Sequence, residues 1–166
     1  MVAWTASVEK LTGPSSLCLS RQNLPFVPRD AATIANIRKG GYIISEAKNG
    51  KPKAIIIATG SEVELALKAQ AAMEAEIPVR VVSMPSTNVF DRQDAAYRES
   101  VLPKGLRRVA VEAGVTDFWR KYVGLEGAAV GIDTYGESAP AGDLYKHFNI
   151  TAEHVTAAVK QVLSPH

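Results

Sequence analysis

The 166-residue sequence has a single cysteine, Cys18, so no internal disulfide can form and a reducing, cytoplasmic setting is expected. Long apolar runs are missing as well. No stretch approaches the roughly 20 residues that span a bilayer, and the first residues do not read as a secretory signal. Neither sign of charge dominates: nineteen Lys and Arg face seventeen Asp and Glu, a formal +2. The sparse aromatics are not interleaved with basic clusters, which argues against nucleic acid and anionic membranes as partners. Histidine is scarce too. His147 and His154 stand seven apart, about 10 Å along one helix, too far to share a metal. With His166 they complete no zinc set with Cys or carboxylates, and each reads as a surface residue. The sequence also lacks G-x-S-x-G, a Walker lysine and a Cys–His nucleophile motif.

What is present describes one ordinary globular domain. Apolar residues make up 46% and charged residues 22% of the chain, and a chain of this length buries roughly 70% of its unfolded surface. Near-continuous apolar runs at Tyr42–Ser45, Ala54–Ala58, Val79–Val82, Arg108–Val111 and Ala128–Ile132 read as strands buried on both faces. Helical spacing recurs over 61–75, 94–100, 117–122, 143–148 and 152–163, with Thr151 placed to cap the last. Alternating strands and helices predict right-handed crossovers and a mostly parallel sheet covered on both sides. Lys48-Asn-Gly-Lys51 between the first two strands is a hairpin signal, so one antiparallel pair is expected. The expected fold is therefore a three-layer α/β sandwich around a five-stranded mixed sheet.

The start of the chain does not fit that scheme. Met1–Lys10 reads as the tail of a helix without an N-cap, and Ser16–Ser20 as a short buried strand. Pro25, Pro28 and Arg29 then mark a linker. A lone helix–strand pair has nowhere to bury its faces, so a boundary is expected near residue 28, dividing the chain into 1–28 and 29–166.

Three places invite chemistry. Ala58–Val63 runs from a strand through Gly60 toward a helix, with Ser61 and Glu64 spaced as a capping box. A dinucleotide site would need two more glycines and an acidic residue about twenty positions on, so a plain strand–helix turn is the favoured reading. Glu112, at a strand end before Ala113-Gly114, has the placement of a catalytic carboxylate but no partner motif, which favours a cap or an interface contact. Arg21 follows the Ser16–Ser20 segment directly, at the end where α/β sheets bind ligands. Its guanidinium can grip phosphate with two parallel N–H donors, and Ser20, Gln22 and Asn23 flank it; on the residues alone a structural ion pair is the favoured role.

Five blocks carry a resemblance over essentially the whole chain: Leu19-Ser-Arg-Gln-Asn-Leu-Pro25, Ile57-Ala-Thr-Gly-Ser-Glu-Val-Glu-Leu-Ala66, Arg80-Val-Val-Ser-Met-Pro-Ser-Thr87, Phe90-Asp-Arg-Gln-Asp-Ala-Ala-Tyr-Arg-Glu-Ser-Val-Leu-Pro103 and Gly136-Glu-Ser-Ala-Pro140. In order and spacing the chain resembles the C-terminal portion of transketolase. The resemblance implies that residues 1–28 are the last helix and strand of a pyrimidine-binding domain and 29–166 the C-terminal domain. It implies a complete enzyme that is a homodimer and moves a two-carbon ketol unit between sugar phosphates, using thiamine diphosphate and a divalent metal (Mg or Ca). It matches Arg21 to the family's substrate-phosphate arginine and assigns no catalytic, cofactor or metal residue to this chain, which alone is expected to be inactive. Alternatives are a non-catalytic assembly or regulatory-ligand module, a nucleotide-binding domain, or a related enzyme such as dihydroxyacetone synthase.

Overall fold

The computed structural model describes residues 1–164. Its strands are β1 (Tyr42–Ser45), β2 (Ala54–Ala58), β3 (Val79–Ser83), β4 (Arg107–Val111) and β5 (Ala128–Val130). Its helices are α1 (Val2–Glu9), α2 (Ala31–Ile37), α3 (Val63–Met73), α4 (Thr87–Asp91), α5 (Ala95–Val101), α6 (Arg120–Val123), α7 (Ala141–His147) and α8 (Ala152–Leu163). The strands form one sheet in the order β1-β3-β2-β4-β5. All neighbours are parallel except β1, which runs antiparallel to β3.

The central strand β2 shows how the layers are made. Every one of its residues is buried, and side chains alternate between faces along a strand. Ala54, Ile56 and Ala58 join Val81 and Val109 beneath α3 and α8. Ile55 and Ile57 join Val82, Ala110, Phe90, Trp119 and Tyr122 beneath α4, α5 and α6. Complete burial of one isoleucine side chain is worth roughly 1.5–3 kcal/mol, so this strand's period-two pattern fixes both faces of the core. The three-layer sandwich around a five-stranded mixed sheet is the one expected from the strand–helix alternation.

Two local expectations are overturned. The Asn49-Gly50 turn does not close a β1–β2 hairpin. Both edges of β2 are occupied by β3 and β4, and β1 crosses to the free edge of β3, pairing Tyr42 with Ser83. The 46–53 connection is too long for a two-residue hairpin; instead the Asn49 amide donates to the Glu74 carbonyl at the end of α3, 3.0 Å away. Nor do residues 16–20 form a strand. They have no ladder partner among the described residues, Cys18 is exposed and Leu19 is 78% exposed. An apolar run becomes a strand only when a neighbouring strand takes its backbone hydrogen bonds.

Two helices escaped the sequence reading. Asp30 caps α2 by accepting from the Thr33 N–H at 2.7 Å, and the short α4 packs Phe90 under the sheet. The stretch expected to be helical at 117–122 is a 3-10 turn, Asp117–Trp119, leading into α6.

Candidate functional site

Ser20-Arg21-Gln22 lies against the C-terminal end of β2, where the chain turns through Thr59, Gly60, Ser61 and Glu62 toward α3. The expected capping box does not form there. Residues Gly60–Glu62 make a 3-10 turn, and the Ser61 hydroxyl donates to the neighbouring Glu62 Oε1 at 2.9 Å instead of capping α3. Glu64, the other half of the box, pairs along the helix with Lys68. A carboxylate only 4% exposed must be satisfied by donors, and Glu62 recruits Ser61 for that purpose.

A second donor comes from the far end of the chain. Tyr145, on α7, donates its phenol to the same Glu62 Oε1 at 2.6 Å. The Gln22 amide donates in turn to the Tyr145 oxygen at 3.1 Å, and the Ser20 hydroxyl donates to Ser61 Oγ at the long distance of 3.5 Å. The residues on either side of Arg21 are thus each linked, through one intermediary, to a single carboxylate oxygen. Because a carboxylate only accepts, the direction of every bond in the network is set. Burial, reinforced by the Glu62 carboxylate, pushes the Tyr145 phenol up to about 12, so it remains a donor at neutral pH.

Tyr145 is aimed by its helix end. After α7, Asn149 adopts a positive φ of 56°. The Ile150 N–H bonds to the Tyr145 carbonyl at 2.8 Å and the Asn149 N–H to the Lys146 carbonyl at 3.1 Å. These two bonds are the Schellman pattern with asparagine at the left-handed position, and completely buried Ile150 anchors it in the core.

Arg21 itself is exposed and makes no ion pair among the described residues. The other sequence candidates are occupied structurally. Glu112 accepts from the buried Trp119 indole at 2.6 Å. His147 and His154 lie exposed on α7 and α8, and Thr151 caps α8 by accepting from the His154 N–H at 3.2 Å. His166 lies outside the described residues. Among the described residues no three His, Cys, Asp or Glu side chains gather as a metal set, so these residues do not fit a divalent-metal centre. Among the described residues no helix is long and apolar enough to cross a membrane. The Glu62–Tyr145 pair was missed because its members are 83 positions apart. The one signal in sequence was an acidic residue at the end of a buried strand.

Comparison with known proteins places this geometry in context. The chain is 56% identical to Transketolase 2 of Pasteurella multocida (strain Pm70) over 166 residues, covering 98% of itself and 25% of that protein. It is likewise 56% identical over 164 residues to Transketolase 1 of Escherichia coli (strain K12), again spanning 25% of it. The chain therefore spans about a quarter of the length of the curated relatives it matches. Among solved structures, a transketolase from Leishmania mexicana superposes with a TM-score of 0.86 at 41% identity, over 98% of this chain and 24% of that one. A split-gene transketolase described as an inactive β4 tetramer matches with a TM-score of 0.56 at 28% identity, over 76% of this chain and 43% of that one. The model of the transketolase-like TK C-terminal domain matches residues 40–151, and the chain belongs to that family.

Proposed function

We propose that this chain is the C-terminal part of a transketolase, and that its contribution to the reaction is to hold the phosphate of the sugar substrate through Arg21. On this reading residues 1–28 close a pyrimidine-binding domain and 29–166 form the C-terminal domain. The complete enzyme is a cytoplasmic homodimer that moves a two-carbon ketol unit between sugar phosphates. Thiamine diphosphate and a divalent metal (Mg or Ca) serve the complete enzyme, held by residues outside this chain.

The observation that carries the reading is the placement of Arg21. Its two neighbours are tied down at the C-terminal end of β2 while its own side chain is exposed. Ligands of open α/β sheets bind outside the carboxyl ends of the strands. A guanidinium there offers two parallel N–H donors to two phosphate oxygens, away from the carbon that reacts. Such a grip binds the ground state and the transition state alike, so it acts on KM more than on kcat.

In the complete enzyme Arg21→Ala is expected to raise KM for phosphorylated sugars by about 10- to 100-fold, the equivalent of one lost charged hydrogen-bonded contact. KM for an unphosphorylated acceptor should be nearly unchanged. Steady-state kinetics with ribose 5-phosphate and with glycolaldehyde measure the difference, and equal effects on the two would remove the phosphate-holding role.

A further inference from the structure

We propose that Glu62 and Tyr145 are positioning residues for the substrate phosphate, acting through the backbone on both sides of Arg21. The inference rests on the Arg21 reading above and adds the device that aims it.

The geometry is that of a bracket. One arm runs Gln22 → Tyr145 → Glu62, with distances of 3.1 and 2.6 Å. The other runs Ser20 → Ser61 → Glu62, at 3.5 and 2.9 Å. Both end on Oε1 of Glu62, a carboxylate buried at the end of the central strand. Arg21 lies in the segment proposed to close the pyrimidine-binding domain, so its backbone must also be fixed relative to the C-terminal domain. The bracket supplies that fixation from the sheet and from α7. A bidentate contact loses strength steeply with misdirection, and a guanidinium on an unfixed backbone would lose entropy each time it engaged phosphate. Glu62 does not reach the substrate in this scheme; it orders the segment that does. The Tyr145 arm has the shorter bonds, so it carries the larger share.

The test uses the complete enzyme, with phosphorylated and unphosphorylated acceptors side by side. Tyr145→Phe keeps the ring and its packing while removing the hydroxyl that joins Gln22 to Glu62. It is expected to raise KM for ribose 5-phosphate by about 3- to 10-fold, with kcat and KM for glycolaldehyde unchanged. Ser61→Ala should do the same more weakly, and Glu62→Gln should reproduce the Tyr145→Phe effect if the charge is needed to hold both donors. In an Arg21→Ala background Tyr145→Phe should add nothing, because its effect passes through the missing guanidinium. The proposal is overturned if Tyr145→Phe leaves KM for ribose 5-phosphate unchanged while Arg21→Ala raises it. It is equally overturned if the two substitutions act additively, or if both acceptors suffer alike together with a lowered Tm, which marks a purely structural role. Should Arg21→Ala itself fail to separate the two acceptors, the phosphate-holding reading falls, an outcome distinct from failure of the bracket alone.

Discussion

Tyr145 links its two hydrogen-bond partners with one oxygen, and this gives the residue a signature in alkali. Its phenol titrates near 12 in the folded chain and near 10 when unfolded. Between those values the folded chain binds a proton that the unfolded chain has released. The stabilisation linked to this group is therefore complete below pH 10 and is lost as pH rises through 12. Burial also raises Tyr97 and Tyr122, so parent and variant must be compared directly. Tyr145→Phe is expected to flatten the decline of the urea midpoint between pH 10 and 12. An unchanged slope would mean that the hydroxyl is not held as described. Arg21, by contrast, stood out in sequence, since its neighbours Ser20, Gln22 and Asn23 are polar. Its setting did not, because Tyr145 lies more than a hundred positions away and nothing local announces the pairing.

At the scale of elements, what was legible followed from local chemistry. The five strands are apolar runs, buried throughout in β2 and partly in the edge strands β1 and β5, and such runs need no knowledge of their neighbours to be found. The Thr151 cap of α8 depends on a contact three residues away. What failed depended on distant partners. The Asn49-Gly50 signal is a genuine turn, with Gly50 at a positive φ of 100°, yet the edge of β2 it would have served was taken by another strand. The Ser61–Glu64 box was undone because a buried carboxylate competed for the serine. One helix was overlooked although its signal was present, since Asp30 is a good N-cap for α2 hidden by the prolines before it; for α7 the helix was expected but its left-handed terminator, Asn149, was not. Asn149 makes a sharp prediction. A β-branched residue at positive φ costs roughly 1–2 kcal/mol, and about 2–4 °C in Tm accompanies each kcal/mol in a chain of this size. Asn149→Val should therefore lower Tm by several degrees, while Asn149→Gly should leave it unchanged or slightly higher. Calorimetry on the two variants checks this, and equal losses would exclude the Schellman ending as their cause.

For the whole molecule, the distribution of apolar surface is uneven. The sandwich encloses its core on both faces, whereas Trp4, Val8, Leu11, Leu19 and Phe26 in the first 30 residues are mostly exposed. Exposed apolar groups gathered in one segment mark a surface meant to be covered, which agrees with the proposed end of a pyrimidine-binding domain. The chain by itself should show no ketol transfer when supplied with thiamine diphosphate, magnesium, xylulose 5-phosphate and ribose 5-phosphate. Turnover by mass-verified chain, free of full-length enzyme, would place catalytic residues within these 166 positions and overturn the proposed division of labour.

The arrangement of helices over the sheet also dictates an order of completion during synthesis. The face under α4, α5 and α6 has all its covering residues once position 123 has been translated. The opposite face is only partly roofed by α3 and waits for α8, residues 152–163. Until α8 is in place, Val109, Val111 and Val130 lack their full cover on that side. The helix α8 is therefore what closes the sandwich, and a chain cut before residue 152 would keep its sheet with one side open.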